Sequence, residues 1–311
     1  MLPVFYVLAK YLPNMTKEQI LIYFQELQDH ICKALEEEDG SAEFHEDNWE
    51  REGGGGGRSR VIQNGNVIEK GGVMFSAVWG DLHEKMLASM GLTEKVDFFA
   101  TGVSIVIHPQ SPLMPIIHMN VRNFEMSNGT FWFGGGIDLT PHYVVEEDAV
   151  WFHQYLKNAC DKHDEAYYSK FKTWADDYFF NTHRNETRGI GGIFFDYQKT
   201  DETRNKQQLF DFVKEIGESF VPIYTHFMQK NKSLPFTEKE KTFQMLRRGR
   251  YVEFNLVHDR GTKFGLETNG RTESILMSMP PVANWVYNYH AEEGSEEEKT
   301  LRLLKKGINW V

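Results

Sequence analysis

Apolar and polar residues alternate with a period of two through two neighbouring stretches of the chain. Across 103–108, Val103, Ile105 and Ile107 share one face and Ser104, Val106 and His108 the other. Across 117–122, Ile117, Met119 and Val121 oppose His118, Asn120 and Arg122. This period predicts two half-buried strands, and the short Pro-containing connection between them predicts antiparallel pairing. A third strand is expected over 130–138 (TFWFGGGID), where three glycines permit a close backbone approach. Upstream, a strand-like run is broken by Asn64-Gly65, a hairpin signal.

Elsewhere the period lengthens to that of a helix. Thr16 followed by Gln19 forms a capping box and opens a helix with apolar Ile20, Ile22, Tyr23, Leu27 and Ile31, which stops in the acidic run 36–40. Helical pattern covers 146–162 and 165–182, placing His153 and His183 on helices or at their ends. After a strand at 189–196 two more helices are expected, the second opened by a Thr237/Glu240 box and closed near Gly249. Residues 251–258 and 274–279 read as further strands. Consecutive strands flanked by helix pairs predict an α+β protein with a central, mainly antiparallel sheet. No linker divides the chain, so 1–311 reads as a single domain.

The five consecutive glycines Gly53 to Gly57 leave two readings open. Composition suggests a flexible linker, while Arg51, Arg58 and Arg60 around the run suggest a mobile loop closing on an anion. Net charge is −11, which argues against a general nucleic-acid binder, so an anionic ligand needs a local basic patch. The 14% aromatic content suits a pocket for a flat ligand or an aromatic-rich core. Only Cys32 and Cys160 are present, which excludes a disulfide framework, fits a reducing compartment and argues against thiol catalysis. No run approaches the ~20 apolar residues of a membrane span. Residues 1–15 lack a charged n-region and a cleavage site and read as a variable leader that packs on the surface or frays; a cytoplasmic protein is expected.

Period-two spacing aims His118, Asn120 and Arg122 at one point: a group that titrates near neutrality, an amide, and a fork for carboxylates. The bland alternative is the solvated face of an edge strand, weakened by Ser104 and His108 on the adjoining strand. His108, His118, His153 and His183 suit a divalent metal by type but lack a tight ligand spacing, so hydrogen-bonded or surface histidines are the default. Between 247 and 271 the chain gathers Arg247, Arg248, Arg250, Arg260, Lys263 and Arg271, with Asn269-Gly270-Arg271 presenting an arginine on a turn. Asp259-Arg260 is either a self-satisfied ion pair or an acid and an anion clamp facing a ligand. Fingerprints for nicotinamide, ATP, serine-hydrolase and dithiol chemistry are missing.

Residues 172–196, KTWADDYFFNTHRNETRGIGGIFFD, pack aromatics, acids, a His-Arg pair and a glycine turn more densely than core packing requires. Lys172, Trp174, Tyr178, Phe179, Phe180, His183, Arg184, Glu186, Arg188, Gly189, Gly191, Gly192, Phe194, Phe195 and Asp196 match the signature of the oxygen-dependent coproporphyrinogen III oxidase family, which this run closely resembles. Ala175 and Asn181 depart from it, standing where the family usually has Cys and an apolar residue. EKGGVMFS, VSIVIHP, HMNVR, FGGGIDLTP, RRGRYVEFNL, DRGTKFGL and GRTESILMSMPP extend the resemblance from about Trp49 to Val311.

The resemblance implies an α/β/α sandwich around a large antiparallel sheet, and a homodimer with its interface within 251–286. It implies no organic cofactor, and in bacterial members a divalent metal at His108, His118, His153 and His183. The implied substrates are coproporphyrinogen III and O2. Two propionates become vinyl groups, giving protoporphyrinogen IX, CO2 and H2O2. By position, His118 resembles the proton donor, with Asp138, Asp259 and Arg260 in the polar pocket. Ser104, Asn120, Val121, Arg122, Asn269, Gly270 and Arg271 resemble the substrate contacts. A porphyrin- or haem-binding carrier and a metal-dependent oxygenase are the competing classes.

Overall fold

Alternation along successive strands builds a seven-stranded, wholly antiparallel sheet in the order β1-β2-β3-β4-β5-β6-β9. In the computed structural model, which describes residues 15–82, 87, 91–267 and 270–311, these strands are β1 His45–Glu50, β2 Gly55–Gln63, β3 Ile68–Asp81, β4 Asp97–Pro109, β5 Ile116–Met126, β6 Phe131–Thr140 and β9 Gly192–Gln198. A two-stranded hairpin, β7 Phe180–Asn181 with β8 Glu186–Thr187, stands apart. The expected leader lies, Met15 excepted, outside the described residues.

The central strands put most of their branched and aromatic residues on one face. Val73, Phe75, Val103, Ile105, Ile107, Ile117, Met119, Val121, Phe133, Ile137, Ile193 and Phe195 form one core with four helices: α1 Lys17–Asp39, α2 Glu146–Asp161, α3 Tyr167–Tyr178 and α4 Lys206–Asn231. Helix α3 lies against the β9 edge. The opposite face is covered by α5 Glu238–Val257, α6 Arg260–Glu267 and α7 Thr272–Leu276. There Tyr251 packs on Val106 and Ile116, and Met277 lies so close over Gly72 that any Cβ there would strike it. Helix α8, Glu296–Leu303, completes the chain. The layers are those of an α+β sandwich.

Helix α1 starts at the Thr16/Gln19 capping box and ends at Gly40, in the left-handed conformation at φ 73°. Its last residue, Asp39, is buried and accepts hydrogen bonds from the backbone N–H groups of Ala42, Asn66, Val67 and Ile68, so one carboxylate ties the helix end to the β2–β3 turn.

Four local expectations are corrected. The glycine run is not a linker: Gly53 and Gly54 form the turn after β1, and Gly55, Gly56 and Gly57 belong to β2, with Gly56 and Gly57 paired with β1 on one side and β3 on the other. A side chain at Gly57 would collide with the Trp49 indole, so the absent side chains make room for that ring. Residues 251–258 continue helix α5. Gly249 does not close it but lies within it, where a Cβ would strike the Asn284 carbonyl. The buried set Arg247, Arg248, Tyr251, Phe254 and Asn255 has helical spacing, and its charged members disguised the stripe as alternation. Residues 274–279 begin in α7 rather than in a strand. Helix α3 stops at Tyr178, which places His183 in the β7–β8 turn.

Asp39→Ala is expected to destabilise the protein by roughly 2–3 kcal/mol in denaturant titration, because several buried N–H groups lose their acceptor. Burial alone would raise the Asp39 pKa, yet the N–H groups of Ile68 and Val67 hold it below its ordinary value. Its contribution is therefore present above the unfolded carboxyl pKa of about 3.9 and lost as pH falls through the lower folded value.

Candidate active site

Strand register lays the polar face out in rows. One row runs Ser59, Met74, Ser104, Asn120, Gly136, Phe194 from β2 to β9. The next runs Gly57, Ser76, Gly102, Arg122, Gly134. Outside Met74, Phe194 and Arg122, this shelf has only small or short side chains, so it is flat. A third row holds Val61, Gly72, Val106, His118, Asp138 and Gly192. The β4–β6 pairing thus brings His118 directly opposite Asp138 and sets Ser104 beside Asn120.

Asp138 is buried, and both its oxygens are engaged. His118 Nδ1 lies 2.7 Å from Oδ1, and Arg188 Nη2 donates to Oδ2 at 2.6 Å. Arg188 is itself buried, donates to Asn255 Oδ1 at 2.8 Å, and packs its guanidinium against the rings of Phe179, Tyr251 and Phe254 at 4.3, 5.0 and 4.9 Å. Burial pushes the Asp138 carboxyl up, but the Arg188 guanidinium and His118 beside it outweigh burial and hold it below its ordinary value. An ionised Asp138 accepts from His118 Nδ1–H, which leaves Nε2 as the ring's proton-exchanging atom. Asp138 therefore reaches a ligand only through His118.

Arg122 donates through Nη1 to Asn120 Oδ1 at 2.7 Å and pairs through Nη2 with Asp196 at 2.8 Å. A Cβ at Gly134 would come within 2.9 Å of that guanidinium, so the glycine leaves room for it. Arg271, the residue before α7, donates to Ser59 and Ser274 and pairs with Asp47. One arginine sits on β5 and the other over β2. Three strand spacings of about 4.8 Å put roughly 14 Å of sheet between them.

Asp259 and Arg260 do not pair with each other. Asp259 caps α6, accepting from Thr262 N–H at 2.7 Å, and takes a hydrogen bond from the Tyr178 hydroxyl at 2.9 Å. The Arg260 guanidinium lies 5.8 Å from the Tyr178 ring centre and forms no ion pair among the described residues. Val121 is buried on the apolar face, so its side chain cannot meet a ligand on the shelf. Gly270 closes the turn beside α6 through its N–H to the Gly265 carbonyl; Asn269 lies outside the described residues.

The four histidines are not brought together. His108 is buried, bonded through Nε2 to the Ser278 carbonyl, and burial lowers its pKa to about 3. His153 is buried on α2, beneath the apolar face, between the Ile190 carbonyl and the Tyr168 hydroxyl, and burial lowers it to about 4. His183 sits in the β7–β8 turn against His258 and Glu253. Each ring has its own protein partner, and the described residues contain no group of three or more His, Cys, Asp or Glu side chains placed to hold a metal ion. The donor set does not fit a shared four-histidine centre.

Spacing along the chain gave no role to Arg188, Asp196, Tyr178 or Asp47. Their partners are strand-register or long-range ones: Asp138 is 50 residues from Arg188, and Asp259 is 81 from Tyr178. The only signal was that the first three lie inside the dense 172–196 run.

A flat polar shelf on an antiparallel sheet, bounded by two arginines and a histidine–aspartate pair, is a site for a flat polycarboxylate. A family profile described as coproporphyrinogen III oxidase matches residues 19–310. The chain is 44% identical, over 97% of its length and 95% of the relative's, to the oxygen-dependent coproporphyrinogen-III oxidase of Prochlorococcus marinus strain MIT 9515. It is 47% identical to that of strain NATL2A, with 92% and 88% covered. The chain belongs to the coproporphyrinogen III oxidase family.

Arg188→Met should leave Asp138 buried without its counter-ion and destabilise the fold by about 3–5 kcal/mol near neutral pH. In the wild type the depressed Asp138 contributes stability above the unfolded carboxyl pKa and loses it as pH falls through the folded one. The deficit of the variant should therefore shrink in acid-range denaturation curves.

Proposed function

We propose that this chain is an oxygen-dependent coproporphyrinogen III oxidase, and that the shelf between Arg122 and Arg271 seats the macrocycle. The observation that carries the reading is the row of small residues across four strands ending in an arginine, which accepts a flat ring but no bulky chain. Arg122 and Arg271 hold propionates at opposite edges, and Ser104 and Asn120 offer hydrogen bonds along the floor.

For each reacting propionate the balance is one carboxylate, one O2 and one proton converted to a vinyl group, CO2 and H2O2. The electron-rich pyrrole supplies electrons to O2. Asp259, at the α5–α6 corner, takes the pyrrole N–H proton as oxygen adds to the ring carbon. The resulting peroxide takes the propionate β-hydrogen as a proton, and the ring C–O bond breaks to release hydroperoxide. Loss of CO2 then forms the vinyl group and returns an electron pair to the ring, whose nitrogen recovers its proton from Asp259. His118, held by Asp138, returns a proton through Nε2. The protein's contribution is orientation and fixed charge, and no organic cofactor enters any step. Asp138, with both oxygens occupied inside the protein, serves by aiming His118. A cytoplasmic enzyme suits the two buried, unpaired cysteines; among the described residues no helix is long and apolar enough to cross a membrane.

The chain acts as a homodimer in this reading. Leu256, Val257, Phe264, Leu266, Val282 and Trp285 are exposed on α5, α6 and the following segment, within 251–286, and a twofold contact between copies covers them. Light scattering at micromolar concentration should give about twice the 36.3 kDa chain mass; a fully active monomer would remove the dimer.

Incubation with coproporphyrinogen III should yield protoporphyrinogen IX and consume one O2 per vinyl group, and should yield nothing under anaerobic conditions. Binding without turnover in air would instead identify a carrier. Arg122→Ala and Arg271→Ala should each lower kcat/KM roughly ten- to a hundredfold, since a charge-assisted bond contributes ~1.5–3 kcal/mol. Unchanged kinetics in both would rule out the carboxylate clamp.

A further inference from the structure

Tyr178 ends α3, far in sequence from the α5–α6 corner, yet three contacts converge on it. Its ring stacks on Phe194 of β9, with centroids 4.1 Å apart and planes within 15°. Phe194 is in the shelf row that contains Ser104 and Asn120. Its hydroxyl donates to Asp259 Oδ1 at 2.9 Å, and its outer face meets the Arg260 guanidinium at 5.8 Å. The ring is thus fastened to the sheet by stacking and holds both members of the Asp259-Arg260 pair through different atoms. The Asp259 carboxylate has one other partner, the Thr262 N–H of its own helix, while its backbone N–H donates to the Phe254 carbonyl at the end of α5; neither contact fixes the carboxylate relative to the sheet.

We infer that Tyr178 is a positioning residue that sets the Asp259 carboxylate and the Arg260 guanidinium over the shelf. The inference rests on the role given above to Asp259. The hydroxyl removes one degree of freedom from the carboxylate, and the ring face provides a cation–π seat for the arginine without consuming any of its N–H donors, which stay free for a substrate carboxylate. An aspartate at that place would neutralise the arginine, whereas an aromatic ring orients it and leaves its charge available. The charged groups around the ring are Asp259, Arg260, Arg122 and Arg188; Arg122 and Arg188 are already paired with Asp196 and Asp138, which leaves Asp259 and Arg260 as the two charges there without an ion-pair partner among the described residues.

The two contacts separate by substitution. Tyr178→Phe keeps the ring and removes the hydroxyl, and is expected to lower kcat about tenfold with KM within twofold of wild type. Tyr178→Leu also removes the ring and is expected to raise KM about tenfold in addition. A double-mutant cycle with Asp259→Asn carries the decision: if Tyr178 acts through Asp259, Tyr178→Phe should have no further effect on kcat in the Asp259→Asn background. A wild-type kcat for Tyr178→Phe, or the same fold loss in both backgrounds, would overturn the inference while leaving the role of Asp259 intact. Full turnover by Asp259→Asn alone would overturn that role, and the inference with it.

Discussion

The buried Arg188–Asp138 ion pair is the contact on which the site depends. Charges taken out of water at this depth are tolerated only when paired, and here the partners come from four places: β6 for the carboxylate, β5 for His118, the turn after β8 for the guanidinium, whose Nε alone lacks a partner, and α5 for Asn255. Loss of any one leaves a buried charge or donor exposed to an apolar surround. The pair also forces the covering helices to the sheet at one place, because Arg188 is sandwiched among Phe179, Tyr251 and Phe254.

That anchoring explains why the polar face is rigid at one end and open at the other. Near β6 and β9 the aromatic cluster and the ion pair lock α3, α5 and the sheet together. Toward β2 the shelf is floored by Gly102, Ser76 and Gly57, with the Trp49 indole over Gly57 and Arg271 held by Asp47, Ser59 and Ser274. Both shelf arginines carry an internal carboxylate, so each is held in place by a partly exposed ion pair of small net stability.

Histidine chemistry is divided in the same way. Of the rings on strands β4 and β5, His118 keeps one nitrogen for exchange, while His108 lies beneath Tyr251 and is held neutral by burial. His153 serves the opposite layer, stacked beside Trp310. Of these three rings only His118 is partly exposed, so its second nitrogen is the one that a ligand can reach.

The strands that form the floor were legible in the sequence because a strand's two faces follow from a period of two: His118, Asn120, Arg122 and Ser104 could be assigned to one face without knowledge of any partner. Capping boxes likewise announced two helices through contacts only three residues apart. The helix through Tyr251 was not legible, since its buried stripe contains Arg247 and Arg248, whose burial depends on Glu186 and Glu69 supplied from elsewhere. Nor could spacing along the chain show that Arg188 neutralises Asp138, that Tyr178 reaches Asp259, or that the four histidines stay apart. Those facts belong to register and layer packing, where residues 50 to 81 positions apart become neighbours. Local periodicity determined which side chains face the cleft; only the tertiary structure decided which of them are paired, buried or left free to act.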